Sequence, residues 1–275
     1  AKVNAYFRGM QDKNVLVTAK HFPGHGDTET DSHYGLPVIK HTIERLDSIE
    51  LFPFRHAIKE GITGIMVAHL NVPAIDSREN RPTTLSQYAI DSLLLDRMDF
   101  KGLVVTDALN MKGVANYFNP GDLEVEAVKA GVDILLMPDD VDKAISSIKK
   151  AIRKGELTEE RINHSCRKVL IAKKWSGADH FDPIFEVGII DSLNSRKYLP
   201  LQQELSEKAL TLVRNQKELI PFKELDQMNY AVLHFGEEGP TPFSNYLDKY
   251  KNGDHFFFKE TEDLPSDSVL NDSLL

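Results

Sequence analysis

Cysteine and long apolar runs are scarce in this sequence, and basic residues are outnumbered by acidic ones. Its single cysteine, Cys166, excludes an internal disulfide, and the amphipathic pattern around it predicts a buried, non-catalytic thiol. No apolar run approaches the ~20 residues of a membrane-spanning helix, and the amino end has no signal-peptide pattern. Lys and Arg number 33 against 42 Asp and Glu, a net charge of −9. Nucleic acid and anionic membranes are therefore poor candidate partners, and a neutral or cationic small substrate fits better.

What is present is the composition of a globular protein with a real core, since 41% of the 275 residues are hydrophobic and 27% are charged. Short apolar runs alternate with amphipathic helical patterns, as in the βαβ units of a parallel sheet. The predicted strands are 14–19, 64–70, 102–107 and 132–138. The predicted helices are about 42–60, 84–98, 122–130, 141–154 and 158–174.

Polar residues follow these predicted strands, where both a (β/α)₈ barrel and a doubly wound sheet collect their chemistry. No GxGxxG motif is present to indicate a dinucleotide site. A whole barrel needs eight strands and ~250 residues, whereas only four strand and helix units are found before the pattern changes. We therefore expect the sequence to start inside a domain.

The pattern changes after Gly177. We interpret 177–198 as an irregular linker, and 199–275 as a second, partial domain. In this second domain we expect, in order, a helix, a strand, a helix and a strand, at 201–215, 229–236, 241–250 and 255–259.

The segment KHFPGHGDTETDSH, residues 20–33, concentrates side chains that can carry chemistry. Its ligand-type residues are His21, His25, Asp27, Asp31 and His33, so a metal site is one interpretation. The prolines and glycines among them prevent the helical i, i+4 spacing that brings two histidines to one metal. A solvated turn is a second interpretation, and an acid/base loop is a third.

The acid/base interpretation rests on Asp31 and His33. Two residues apart in an extended chain, they project to the same side, so the carboxylate can orient the imidazole for proton transfer. Asp107, directly after the predicted strand 102–107, is a candidate nucleophile or electrostatic stabiliser. A helix N-cap explains Asp107 equally well.

Taken together, KHFPGHGDTETDSH, MVAHLNVPA and LVVTDALNM closely resemble the family-3 glycoside hydrolases, specifically their β-N-acetylglucosaminidase branch. ELSEKALTLVRNQKELIPF is similar to the start of the αβα sandwich domain that follows their barrel. The resemblance implies that 1–176 is the C-terminal half of a TIM barrel and 199–275 a partial αβα sandwich, a fragment truncated at both ends. It also favours a periplasmic or extracellular location.

The resemblance also implies roles for individual residues. Asp107 matches the nucleophile of a retaining mechanism, and His33 matches the acid/base, with Asp31 as its partner. Substrate-binding positions are matched by Lys20, His21 and His69.

The expected activity is removal of terminal β-linked N-acetylglucosamine, without cofactor or metal. The isolated chain is expected to be weakly active or inactive, because the first half of the barrel holds part of the sugar pocket. Alternatives are a family-3 β-glucosidase, a phosphorylase, a silent carbohydrate-binding fragment and a metalloenzyme. The sequence does not indicate an oligomeric state.

Overall fold

A computed structural model describes residues 2–28, 35–180, 183, 185–236 and 239–259. The chain divides into two compact units, Ala1–Ile184 and Phe185–Leu275. Both contain helices and parallel strands, so the predicted α/β class is confirmed at that level. No helix in the described part of the chain is long and apolar enough to cross a bilayer.

The first unit is built on a three-stranded parallel sheet of strand order β1-β2-β3. The strands are β1 (Thr18–Phe22), β2 (Gly64–Val67) and β3 (Leu103–Thr106). Around them lie α1 (Lys2–Gln11), α2 (Ile43–Arg45), α3 (Phe52–Lys59), α4 (Lys112–Ala115), α5 (Asp122–Ala130), α6 (Val141–Arg153) and α7 (Glu159–Trp175). Two π-helical segments, Leu46–Glu50 and Tyr88–Arg97, and a 3₁₀ turn, Thr83–Leu85, complete the connections.

The core of this unit lies between the sheet and its helices. Ile65, Val67 and Val104 on the central strands are fully buried, and burying a side chain of this size contributes roughly 1.5–3 kcal/mol. The ring of Phe22 at the end of β1 meets that of Phe54 edge to face, with centroids 5.4 Å apart. This packing holds the carboxyl end of β1, where the KHFPGHG segment lies, against α3.

Two of the four predicted strands differ from the structure. The first begins at Thr18 rather than at residue 14, because the ladder to β2 starts with Thr18 opposite Gly64 and the preceding Val15 is 43% exposed. The last, at 132–138, forms only an isolated parallel bridge from Ile134 to Val105.

The prediction that Cys166 is buried was wrong, since its side chain is exposed. It lies on α7, which has no buried residue, and Leu170 and Ile171 on the same helix are 59% and 62% exposed. The helix is held by Ile162, which packs against a buried cluster that includes Val128 and Leu157, and by polar groups. Asp133, at 1% side-chain exposure, is contacted by the α7 residues Ser165 and Lys168.

The second unit contains a two-stranded parallel sheet of β4 (Ala231–Phe235) and β5 (Asp254–Phe258). Its other elements are α8 (Ile189–Leu193), a 3₁₀ turn (Arg196–Tyr198), α9 (Leu199–Ala209), a 3₁₀ turn (Gln216–Glu218) and α10 (Pro242–Leu247). The segment expected to be irregular, 177–198, thus includes a short helix and a 3₁₀ turn.

Candidate active site

The carboxyl ends of the three parallel strands bring the candidate site residues together. Lys20 and His21 belong to β1, His69 follows β2, and Asp107 directly follows β3. Because parallel strands end at the same edge of a sheet, residues far apart in sequence meet there. Asp31 and His33 lie outside the described residues.

Asp107 is oriented by backbone hydrogen bonds. Its Oδ1 accepts from the Ala108 N–H at 2.9 Å, and its own N–H donates to the Val67 carbonyl at 3.0 Å. It does not cap a helix in the described chain, since α4 begins later, with Met111 as its N-cap. The side chain is 15% exposed, so it is partly shielded from water and still accessible from outside.

His21 faces the other carboxylate oxygen of Asp107. Its Nε2 lies 3.6 Å from Asp107 Oδ2, which is too long for a hydrogen bond. Burial lowers the pKa of His21, and the nearby Lys20 and His25 lower it further, whereas the charge of Asp107 acts in the opposite direction. The pKa of His21 stays below its ordinary value of 6.5, so the ring is neutral at pH 7 and its Nε2 remains available to a ligand hydroxyl.

His69 is fully buried, and both of its ring nitrogens have partners. Nε2 lies 3.0 Å from the Ala108 carbonyl, and Nδ1 lies 2.6 Å from Thr84 Oγ1. A carbonyl only accepts, so Nε2 carries the proton and Nδ1 accepts from the Thr84 hydroxyl. Thr84 Oγ1 also lies 2.7 Å from the Ala68 carbonyl. That carbonyl keeps the Thr83 hydroxyl as its donor, at 2.7 Å, so it stays satisfied when Thr84 donates to Nδ1.

The consequence is a neutral, fixed imidazole behind the candidate nucleophile. Burial lowers the pKa of His69, although the Ala108 carbonyl and Asp107 favour the charged ring. The ring contacts Asp107 indirectly, since it binds the carbonyl of the residue whose N–H holds Asp107 Oδ1. We infer that it positions the turn after β3.

Sequence reasoning missed Thr84 and a second set of contacts in the same connection. Asp76, with a side chain 2% exposed, accepts from Arg78 Nε at 2.8 Å and from Ser86 Oγ at 2.5 Å. Burial alone raises the pKa of Asp76, but the hydrogen bonds from Arg78 and Ser86 outweigh it and lower the pKa to about 2. The only signal in the sequence is the run of polar residues ahead of the helical pattern at 84–98.

A cleft of about 650 Å³ opens along β1. Lys20, His21 and His25 line it, together with Tyr6 and Phe7 of α1. His25 meets His21 edge-on at 6.0 Å between ring centroids, and its Nδ1 lies 3.0 Å from Thr28 Oγ1. The cleft offers polar groups on an apolar floor, as a sugar-binding surface requires.

Comparison with known proteins identifies the family of this chain. The family model of the glycosyl hydrolase family 3 N terminal domain matches residues 1–172. The chain therefore belongs to glycosyl hydrolase family 3, and the resemblance found in the sequence is confirmed.

Individual relatives are similar over most of this chain. Beta-hexosaminidase A of Pseudoalteromonas piscicida is 31% identical, over 83% of this chain and 41% of its own length. Beta-N-acetylglucosaminidase/beta-glucosidase of Cellulomonas fimi is 27% identical, over 78% of this chain and 40% of its own length. The structure of a glycoside hydrolase family 3 beta-N-acetylglucosaminidase from Paenibacillus sp. str. FPU-7 matches with a TM-score of 0.78 at 30% identity, covering 98% of this chain and 53% of that one. The chain thus spans about half or less of the length of these relatives.

Proposed function

We propose that the protein is a retaining glycoside hydrolase that removes terminal β-linked N-acetylglucosamine from peptidoglycan- or chitin-derived saccharides. The observation that carries the proposal is Asp107, a partly shielded carboxylate at the end of β3 with one oxygen held by the backbone and the other 3.6 Å from Nε2 of His21, which lines the cleft. The names of the Pseudoalteromonas and Paenibacillus relatives support this class of sugar.

The architecture that we propose for the two units follows the same resemblance. The first unit corresponds to the C-terminal half of a (β/α)₈ barrel, and the second to the start of an αβα sandwich. The parallel order β1-β2-β3 supports the first assignment, and the parallel pair of β4 and β5 supports the second.

In the first step, Asp107 Oδ2 attacks the anomeric carbon and forms the glycosyl-enzyme bond. The bond from that carbon to the leaving oxygen breaks at the same time, and this oxygen takes a proton from the His33 imidazolium, which Asp31 orients. The hydrogen bond from the Ala108 N–H fixes Oδ1, so the carboxylate needs little reorientation to attack.

In the second step, the neutral His33 accepts a proton from water as the water oxygen bonds to the anomeric carbon. Asp107 leaves as a carboxylate, and two inversions give net retention. Lys20 and His21 bind sugar hydroxyls in this proposal. The neutral ring of His21 can do so without forming an ion pair with the nucleophile.

The test is covalent trapping of the intermediate. A longer form of the protein that spans the length of its relatives is incubated with a 5-fluoro-N-acetylglucosaminyl fluoride beside the 275-residue chain, and peptides are analysed by mass spectrometry. In the longer form we expect the sugar to be attached to the peptide that contains Asp107, and we expect no labelled peptide in its Asp107→Ala variant. Label on another carboxylate, or normal turnover of a chromogenic N-acetyl-β-glucosaminide by Asp107→Ala, would refute the assignment.

The turnover measurement should also include a chromogenic β-glucoside as substrate and phosphate as an added acceptor. The name of the Cellulomonas relative joins N-acetylglucosaminidase and glucosidase activities, and a histidine acid/base places no carboxylate in the path of an anionic acceptor. Faster cleavage of the β-glucoside would change the proposed substrate, and glycosyl phosphate as the main product would change the proposed acceptor from water to phosphate. In both cases Asp107 would remain the proposed nucleophile.

A further inference from the structure

Beside the KHFPGHG segment lies a cluster of polar groups that the proposed reaction does not use. Nε2 of His41 is 2.7 Å from Asp27 Oδ2, and Arg45 Nη2 is 3.0 Å from Glu50 Oε1. One ligand atom each from Asp27, His41 and Glu50 lie within 4.8 Å of one another. Two carboxylates against one guanidinium leave the cluster with a negative charge.

The cluster is incompletely satisfied. Among the described residues only three buried side-chain polar atoms lack a hydrogen-bond partner, and two of them are Glu50 Oε2 and Arg45 Nε. The Glu50 side chain is 7% exposed, so its free oxygen is shielded from water at a cost of a few kcal/mol unless something binds it. A buried carboxylate oxygen without a partner, next to an imidazole and a second carboxylate, is what a cation site needs.

We propose that Asp27, His41 and Glu50 form a zinc-type divalent metal site, independent of the glycosidase reaction. A histidine nitrogen with two carboxylate oxygens is a three-ligand set that Zn²⁺ accepts, whereas Ca²⁺ and Mg²⁺ prefer oxygen alone. Ligand distances of about 2.1 Å place tetrahedral ligand atoms about 3.4 Å apart. The 2.7 Å contact between His41 Nε2 and Asp27 Oδ2 therefore opens by about 0.7 Å, and the neutral ring binds the metal through Nε2 with its proton on Nδ1.

Arg45 does not prevent binding. Its side chain is 38% exposed, and its longer contact, 3.5 Å to Asp27 Oδ2, is the one that the metal replaces. Its bond to Glu50 Oε1 can remain, and a hydrogen bond to the second oxygen of a ligating carboxylate orients that ligand.

The site joins two parts of the first unit. A Cβ on Gly24 would lie 2.8 Å from the Cβ of Glu50, so Glu50 lies directly against the turn that follows β1. Asp27 lies in the loop that continues from this turn. A bound ion would therefore fix the chain after Lys20 and His21 to the segment Leu46–Glu50.

Zinc binding to the chelator-treated chain, measured by titration calorimetry without substrate, tests the site separately from the glycosidase activity. We expect one Zn²⁺ per chain at a site that weakens at least about tenfold in His41→Gln and in Asp27→Asn. Asp27 is 59% exposed, so its variant keeps the fold. The matched control is His56→Gln, which changes an exposed histidine on α3 outside the cluster and should bind like the parent.

His21→Gln distinguishes this site from zinc held at the candidate active site. The proposal requires that this variant retain the parent's affinity. Absence of Zn²⁺ binding, unchanged affinity in His41→Gln, or loss of binding in His21→Gln alone would each overturn it.

Discussion

Asp133 is the buried carboxylate that links α7 to the sheet, and replacing it should destabilise the first unit more than replacing an exposed side chain. Its Oδ1 accepts from Ser165 Oγ at 2.6 Å and lies 3.7 Å from Arg161 Nη1. Its Oδ2 accepts from the N–H of Val104 on β3 at 3.0 Å and contacts Lys168 Nζ. One buried carboxylate thus connects a strand of the sheet to one face of a helix.

These contacts allow an estimate of how much free energy of unfolding is lost in Asp133→Asn. Removing one partner of a buried ion pair costs about 3–5 kcal/mol, because the other charge remains buried. The side chains of Lys168 and Arg161 are 17% and 21% exposed, so they regain some hydration, and we expect about 3 kcal/mol. For a urea dependence of about 2 kcal/mol per M, the midpoint falls by roughly 1.5 M.

Trp175 provides the assay. It is the only tryptophan in the sequence and lies at the end of α7, so its fluorescence reports on the helix that Asp133 holds. The control is Asp142→Asn, an exposed carboxylate on α6, with an expected change within about 0.5 kcal/mol. A second change, Lys168→Met in the Asp133→Asn background, should recover at least about 1 kcal/mol by removing the unpaired ammonium. This account would be refuted if Asp133→Asn lost less than about 1 kcal/mol of unfolding free energy, or if the double variant regained none of it.

Three further predictions follow from the site. The pKa of Asp76 in the folded protein is about 2, against an ordinary 3.8. This carboxylate should therefore contribute roughly 2 kcal/mol to the free energy of unfolding above pH 4, and the contribution should be lost as the pH falls from about 4 to 2. Asp76→Asn should flatten that part of the curve of unfolding free energy against pH. Thr84→Val leaves Nδ1 of His69 without a donor and should cost about 1–3 kcal/mol in thermal unfolding, whereas Thr84→Ser should cost less because the hydroxyl remains. In an NMR titration His21 should have a pKa below 6.5, and Asp107→Asn should lower it further because the charge of Asp107 favours the imidazolium; a rise in that variant would contradict the assigned geometry.

The sequence predicted the elements that repeat a clear pattern. The run LVVT predicted a strand, which the structure has as Leu103–Thr106, because a short continuous apolar run after Gly102 is typical of a buried strand. The helices at 141–154 and 158–174 were predicted to within a residue or two, since N-caps at Asp140 and Thr158 mark their starts.

The errors came from elements whose environment is not encoded locally. Residues 14–19 contain the apolar pattern of a strand, but hydrogen bonding to β2 begins only at Thr18. The prediction for Cys166 assumed that an amphipathic helix buries its apolar residues, whereas Leu170 and Ile171 on α7 are exposed. The helix is held by its polar contacts to Asp133 together with the packing of Ile162. Thr84 lies 15 residues from His69, and no periodicity in the sequence relates the two.

The protonation states of the two histidines bear on the nucleophile role proposed for Asp107. A cationic imidazole at His21 or His69 would hold the carboxylate in an ion pair and reduce its tendency to attack. Burial lowers the pKa of both rings, and the Ala108 carbonyl and Thr84 hydroxyl use the nitrogens of His69 in its neutral form. Orientation of Asp107 therefore comes from neutral groups, and the negative charge of Oδ2 is not compensated by either ring. The imidazole that must carry charge in the proposed reaction is a different one, His33, for which the proposal takes Asp31 as the partner. The proposal thus assigns opposite charge requirements to His33 and to the pair His21 and His69, and the environments of His21 and His69 meet theirs.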